Sequence, residues 1–307
     1  MPPPPPLGRL ELDQLCPLAG LEWVVRTKPR EIAAVPWLIP AIARIVPEAN
    51  QAALQARLGF DPRQVAEALF VSYGALLGGC QAQLVRHNVD PATVEQRFLA
   101  RLTREVERRV DHPEVIRLRG AVGKRTHGLT LVGREVAVFD QMDASGQGVA
   151  RVAALVATEA LREAKPLRED AQLRAVVERF GAAPVIAVAP GPFVDEWQRA
   201  ARGLLAAADF VAASASPAAA TESLRLSLAI VGDFGDEGSK AADLLRQSWE
   251  DLAAESMGKL LGLADTSEPV AAGTRSVITL NVMVDPNRLA AGLAAILEQD
   301  IPAIMRL

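Results

Sequence analysis

Apolar and polar positions alternate in several separated stretches of the chain. Leu224, Leu226, Leu228 and Ile230 are interleaved with Arg225, Ser227 and Ala229. A repeat of two predicts a strand with one buried face. The next residues hold Gly232, Gly235 and Gly238 together with Asp233, Asp236 and Glu237, a composition that turns the chain sharply. Ala241, Leu244, Leu245, Trp249, Leu252 and Ala253 then recur at helical spacing. Asp236 and Ser239 are expected to serve the start of that helix, and Gly262 to stop it.

The same strand, turn and helix grammar recurs along the chain. Residues 22–26 predict a strand. Pro29 opens a helix that Pro36 and Pro40 interrupt, and Pro47 opens another that Gly59 closes. Residues 65–73 read as a helical turn followed by a strand, and 81–89 as a strand. Asp90-Pro91 caps and starts a helix that carries Val94, Phe98, Leu102 and Val106 on one face. Residues 115–122 and 129–139 read as antiparallel strands joined around 123–128. Helices are expected at 148–164, 169–180 and 193–207, and strands at 184–188, 210–214 and 277–284. Asp285-Pro286 starts a final helix that ends near Leu297, ahead of a tail at 300–307.

Hairpins mixed with helices predict an α+β fold: a mixed or antiparallel sheet with helices packed on it. The segment from Gln81 aligns without gaps on the segment from Ser276, and both pass from strand through Val-Asp-Pro into helix. Common turn chemistry explains such a match, and so does a duplicated α+β unit. The expected plan is a lead-in at 1–20 and two related halves, 21–175 and 176–307; the alternative is one continuous domain.

Composition adds bounds. Hydrophobic residues are 50% of the chain and charged residues 23%, enough for a sizeable core and too ordered a balance for global disorder. No run of eighteen apolar residues exists, so no transmembrane helix is expected. The start, MPPPPPLG, lacks the basic and apolar segments of a signal peptide and reads as a stiff polyproline tether. A folded domain behind such a spacer favours an exported protein, periplasmic or membrane-tethered, over a cytoplasmic one. Cys16 and Cys80 form an even pair whose bridge would tie the lead-in to the body. Two separate buried thiols are the preferred reading.

No catalytic signature is complete. Gly146-Gln147-Gly148 lacks the third glycine of a dinucleotide fingerprint, and Ser256-Met257-Gly258-Lys259 lacks the companion motifs of penicillin-recognising enzymes. The turn at 232–240 lacks the P-loop spacing, and its acids would repel a phosphate. His87, His112 and His127 have no second histidine at ligand spacing. No cofactor is expected. An enzyme remains the alternative function, through a divalent-metal site of Asp233, Asp236 and Glu237.

Charge placement is the strongest signal outside the core. Between Arg97 and Arg134, ten basic residues against four acidic ones leave +6; between Gly232 and Glu268, three against nine leave −6. On the predicted helix Arg97, Arg101, Arg104 and Arg108 share a face, and Arg117, Arg119, Lys124 and Arg125 would extend it. The net charge of −4 and the lack of interleaved aromatics argue against nucleic acid. The expectation is a non-catalytic binding or assembly protein that meets a protein partner, or a second copy, through opposite charge patches.

Overall fold

The computed structural model describes residues 6–16, 20–74, 80–123, 125–141 and 171–297. The first five residues, Lys124, the helix expected at 148–164 and the tail at 300–307 lie outside them. In chain order the elements begin β1 (Leu21–Thr27), α1 (Pro29–Ala33), α2 (Ile39–Ile45), α3 (Glu48–Leu58), β2 (Glu67–Tyr73) and β3 (Cys80–Arg86). There follow α4 (Pro91–Leu99), β4 (Arg104–His112), β5 (Val115–Val122), β6 (Arg125–Val132), β7 (Val136–Gln141), α5 (Ala171–Phe180), β8 (Val185–Pro190) and α6 (Glu196–Arg199). The last are β9 (Ala208–Ala218), β10 (Ser223–Gly232), α7 (Gly238–Ala254), α8 (Ser256–Leu260), β11 (Val270–Gly273), β12 (Val277–Val284) and α9 (Pro286–Leu297). The fold is α+β, with twelve strands among the described residues. Within each unit described below, neighbouring strands pair antiparallel. No helix among the described residues is long and apolar enough to cross a membrane.

The chain divides into two compact units. The first holds β1–β7 with α3 and α4; the second takes Glu31–Pro47 and resumes at Ala175.

In the first unit the strand order is β1-β2-β3-β7-β6-β5-β4. One face buries Phe60, Val65, Val85, Leu118, Leu129 and Leu131 under Val94 and Phe98 of α4. Asp90 caps α4 by accepting a hydrogen bond from the Ala92 N–H, with Pro91 at the first helical position. The lead-in is not a free tether over residues 7–16. Leu12, Leu15 and Cys16 are 0% exposed, and Arg86 donates to the Gly8 and Leu10 carbonyls at 3.0 and 2.6 Å. Cys16 is a free thiol in a side-chain hydrogen bond with Tyr73, so it forms no bridge to Cys80.

Two expectations for this unit need correction. α4 stops at Leu99 rather than running past Val106, and residues 104–112 form a strand. The cause is non-local: the Thr103 N–H and hydroxyl both donate to the Ala121 carbonyl on β5, which captures the chain into the sheet. The region 129–139 is also two strands, because Gly133 turns the chain at φ +60° between β6 and β7.

In the second unit the order is β11-β12-β10-β9-β8. Ala241, Ala242 and Leu245 of α7 pack on Ile230, Ile278 and Leu280. The central turn is built by close backbone approach. A Cβ on Gly232 would lie 1.9 Å from the Ala207 carbonyl oxygen, so only glycine fits. Asp233 accepts from the Gly235 N–H at 3.1 Å, while α7 starts after Glu237 with no side-chain cap. The expected caps, Asp236 and Ser239, therefore play no such part. The helix expected at 193–207 is broken: Ala201, Arg202 and Gly203 all have positive φ inside it. Gly262, left-handed at φ +72°, follows the second helix of the pair, α8, rather than α7.

Candidate interface at a sheet edge

β4 ends the strand order of the first unit, and no described strand pairs with its outer side. Every residue from Thr103 to Val110 is exposed, including two valines: Val106 is 54% exposed and Val110 57%. An edge of this kind presents unpaired backbone N–H and C=O groups. The ladder to β5 is regular from Glu107 to Val110, with register shifts between Arg104 and Glu107 and between Val110 and His112. Glu105 sits in the first shift at φ +54°, the backbone of a bulge.

Strand register sorts the predicted arginines onto two faces, because residues paired across an antiparallel ladder point the same way. Leu118 belongs to the core beneath α4 and pairs with Arg108, so Arg108 lies on the helix side. There its Nε lies 2.6 Å from Glu95 Oε1 on α4. That hydrogen bond raises the Arg108 pKa. Arg125 pairs with Val122 on the same face. Arg101 follows α4, its guanidinium 5.9 Å from the centre of the Phe98 ring, and burial, then Arg57, lowers its pKa. Arg97 is in the last turn of α4. The opposite face carries Arg117 and Arg119, which pair with Arg109 and Glu107, and Arg104, which pairs with Ala121. Arg109 and Glu107 form an ion pair of 3.4 Å. Arg104 reaches the Gly123 carbonyl.

The single helical face expected for Arg97, Arg101, Arg104 and Arg108 is thus replaced by two faces around one strand. Sequence reasoning named the charges, set Val106 on the buried face of a helix where the structure has it exposed on a strand, and missed Val110 and Glu95. Val106 and Val110 are four apart, a spacing that reads as helix until the strand is known.

His127 lies on β6 beside this cluster, opposite Gly120. It is 5% exposed, and its Nε2 has no hydrogen-bond partner among the described residues. Burial, then the charges of Arg101 and Arg125, lowers its pKa.

A second feature of this unit is a cleft of about 520 Å³ lined by Arg30, Arg86, His87, Asp90, Arg134 and Glu135, among others. Arg86 is committed inward to Gly8, Leu10 and Glu135. The His87 ring stacks on Phe60 at 5.6 Å, and its Nδ1 lies 3.1 Å from the Val89 carbonyl. A carbonyl only accepts, so Nδ1 carries the proton and Nε2 is a bare acceptor. Burial lowers the His87 pKa.

The acids of the second unit do not converge. Asp233 holds its own turn and lies 3.8 Å from Arg275, and Glu237 pairs with Lys240 at 3.2 Å. Among the described residues no three His, Cys, Asp or Glu side chains gather into a group fit to hold a metal.

No protein-family model matches the chain, and no curated protein matches it. Solved structures do. Crystal form I of TP0453 is similar at a TM-score of 0.54 with 7% identity, over 96% of this chain and 99% of that one. Crystal form III gives 0.54 with 6% identity, over 96% and 100%. At such identity the likeness is one of fold.

Proposed function

We propose that the chain is a non-catalytic binding protein whose partner surface is the β4 edge and the arginines on its two faces. The observation that carries this reading is that every residue from 104 to 110 is exposed on an edge strand whose outer side has no described neighbour. Arginine suits the role because its planar fork grips carboxylates bidentately. Arg117 and Arg119 supply one face; Arg97, Arg101, Arg108 and Arg125 supply the other. Exposed charges act chiefly on association rate and are screened over about 8 Å at physiological salt.

The test is quantitative capture of partners from native extract at low and high salt by wild type and by Arg117→Glu/Arg119→Glu, each checked by thermal melt. The variant is expected to lose salt-sensitive partners while melting normally. Equal recovery by both proteins would reduce the arginines to an ordinary solvated surface.

We also infer that the two units descend from one duplicated α+β element. Supporting this is the shared junction in which Asp90 and Asp285 accept hydrogen bonds from backbone N–H groups two residues on.

A further inference from the structure

We propose that β4 pairs antiparallel with β4 of a second copy of this chain, across a two-fold axis at Arg108. The inference rests on the reading of β4 as a binding edge and names its occupant.

The exposed strand is complementary to itself. Arg104, Arg108 and Arg109 balance Glu105, Glu107 and Asp111, so the strand is neutral and offers no excess charge to a purely acidic peptide. A two-fold axis perpendicular to a continuous sheet keeps each residue on its own face. Positions of the same parity must therefore meet.

With the axis at Arg108, Val106 of each copy faces Val110 of the other, and Glu107 faces Arg109. The helix-side face then gains two Val–Val pairs, which cover side chains 54% and 57% exposed in the single chain. The opposite face gains two Glu–Arg pairs, formed from residues already paired at 3.4 Å within one strand. Directly opposed side chains on antiparallel strands lie closer than neighbours two apart on one strand, so the exchange favours the cross-strand partner.

The one like pair at the axis is Arg108 with its own copy. Each Arg108 is held by Glu95 at 2.6 Å, which draws the guanidinium towards α4 and supplies the opposing charge. Moving the axis to Glu107 would instead oppose Glu107 to itself and set each Val106 against Arg108. The shifts flanking 107–110 confine the pairing to that regular run and to Val106, which adjoins it at the edge of the first shift, because bulges twist the strand away.

The experiment is sedimentation equilibrium of the full chain from about 1 to about 100 μM. Wild type is compared with Glu107→Arg, the swap Glu107→Arg/Arg109→Glu, and Val110→Lys, each checked by thermal melt. Wild type is expected to dimerise reversibly. Glu107→Arg should weaken the dimer about tenfold, since symmetry makes each changed pair count twice. The swap should restore it, and Val110→Lys should weaken it from the other face. A wild type that stays monomeric overturns the proposal, as does a dimer insensitive to Glu107→Arg or not restored by the swap. A monomer that still captures partners through Arg117 and Arg119 would overturn self-pairing and leave the wider binding reading standing.

Discussion

Arg108 on the outer strand and Glu95 on the helix above it are joined at 2.6 Å. The contact ties the free edge of the sheet to α4, although both partners reach solvent. Pairs of this kind contribute little to stability. Glu95→Gln is therefore expected to leave the melting curve of dilute protein unchanged. At higher concentration it should weaken self-association, because the two Arg108 groups at the axis lose their counter-charge. Melting and sedimentation of the same variant separate the two effects.

Helix starts give a second test. Asp90 and Asp285 bond backbone N–H groups, whereas α7 begins with no side-chain cap. Asp90→Ala and Asp285→Ala should each cost about 0.5–2 kcal/mol in urea unfolding. Asp236→Ala and Ser239→Ala should cost far less, and a loss of similar size from either would show that the α7 start depends on them after all.

The lead-in is held by a close approach of two glycines. A Cβ on Gly133, whose φ is +60°, would lie 2.7 Å from the Gly8 Cα. Gly133→Ala should loosen residues 7–16 and expose Cys16. In the wild type, burial pushes the Cys16 thiol up to about 12 from 9.0, so it should resist alkylation at neutral pH. The folded value lies above the unfolded one. The stabilisation is thus complete below about pH 9 and drains away as the pH rises towards 12. Labelling rates of wild type and Gly133→Ala with iodoacetamide, followed by mapping of the modified cysteine, check both points.

The buried histidines act at the acid end. Burial is the main cause that lowers both His87 and His127 below 6.5. The unfolded chain therefore takes up protons that the folded chain refuses. Stability is present above pH 6.5 and falls as the pH drops below it, by at most about 1.4 kcal/mol per pH unit for each histidine. Melting temperature measured from neutral to acid pH should fall less steeply in His87→Gln and in His127→Gln than in wild type.

Local chemistry was legible in the sequence. Asp90-Pro91 and Asp285-Pro286 start helices because an acceptor side chain and a fixed φ act within three residues, whatever surrounds them. The strand at 277–284 was also legible, since its alternation reflects one buried side. The arginines of the candidate interface could be named for the same reason: charge is a property of each residue. Their arrangement could not. Whether residues 104–112 are helix or strand turns on Thr103 meeting Ala121, eighteen residues on, and on the exposure of both faces of the resulting edge. A strand exposed on both sides buries no stripe, so no period marks it. The break at Ala201–Gly203 and the docking of residues 7–16 likewise rest on partners far along the chain. Sequence determined which groups this protein carries and where its helices begin. Tertiary pairing decided which strand lies at the edge, and so which of those groups a partner can meet.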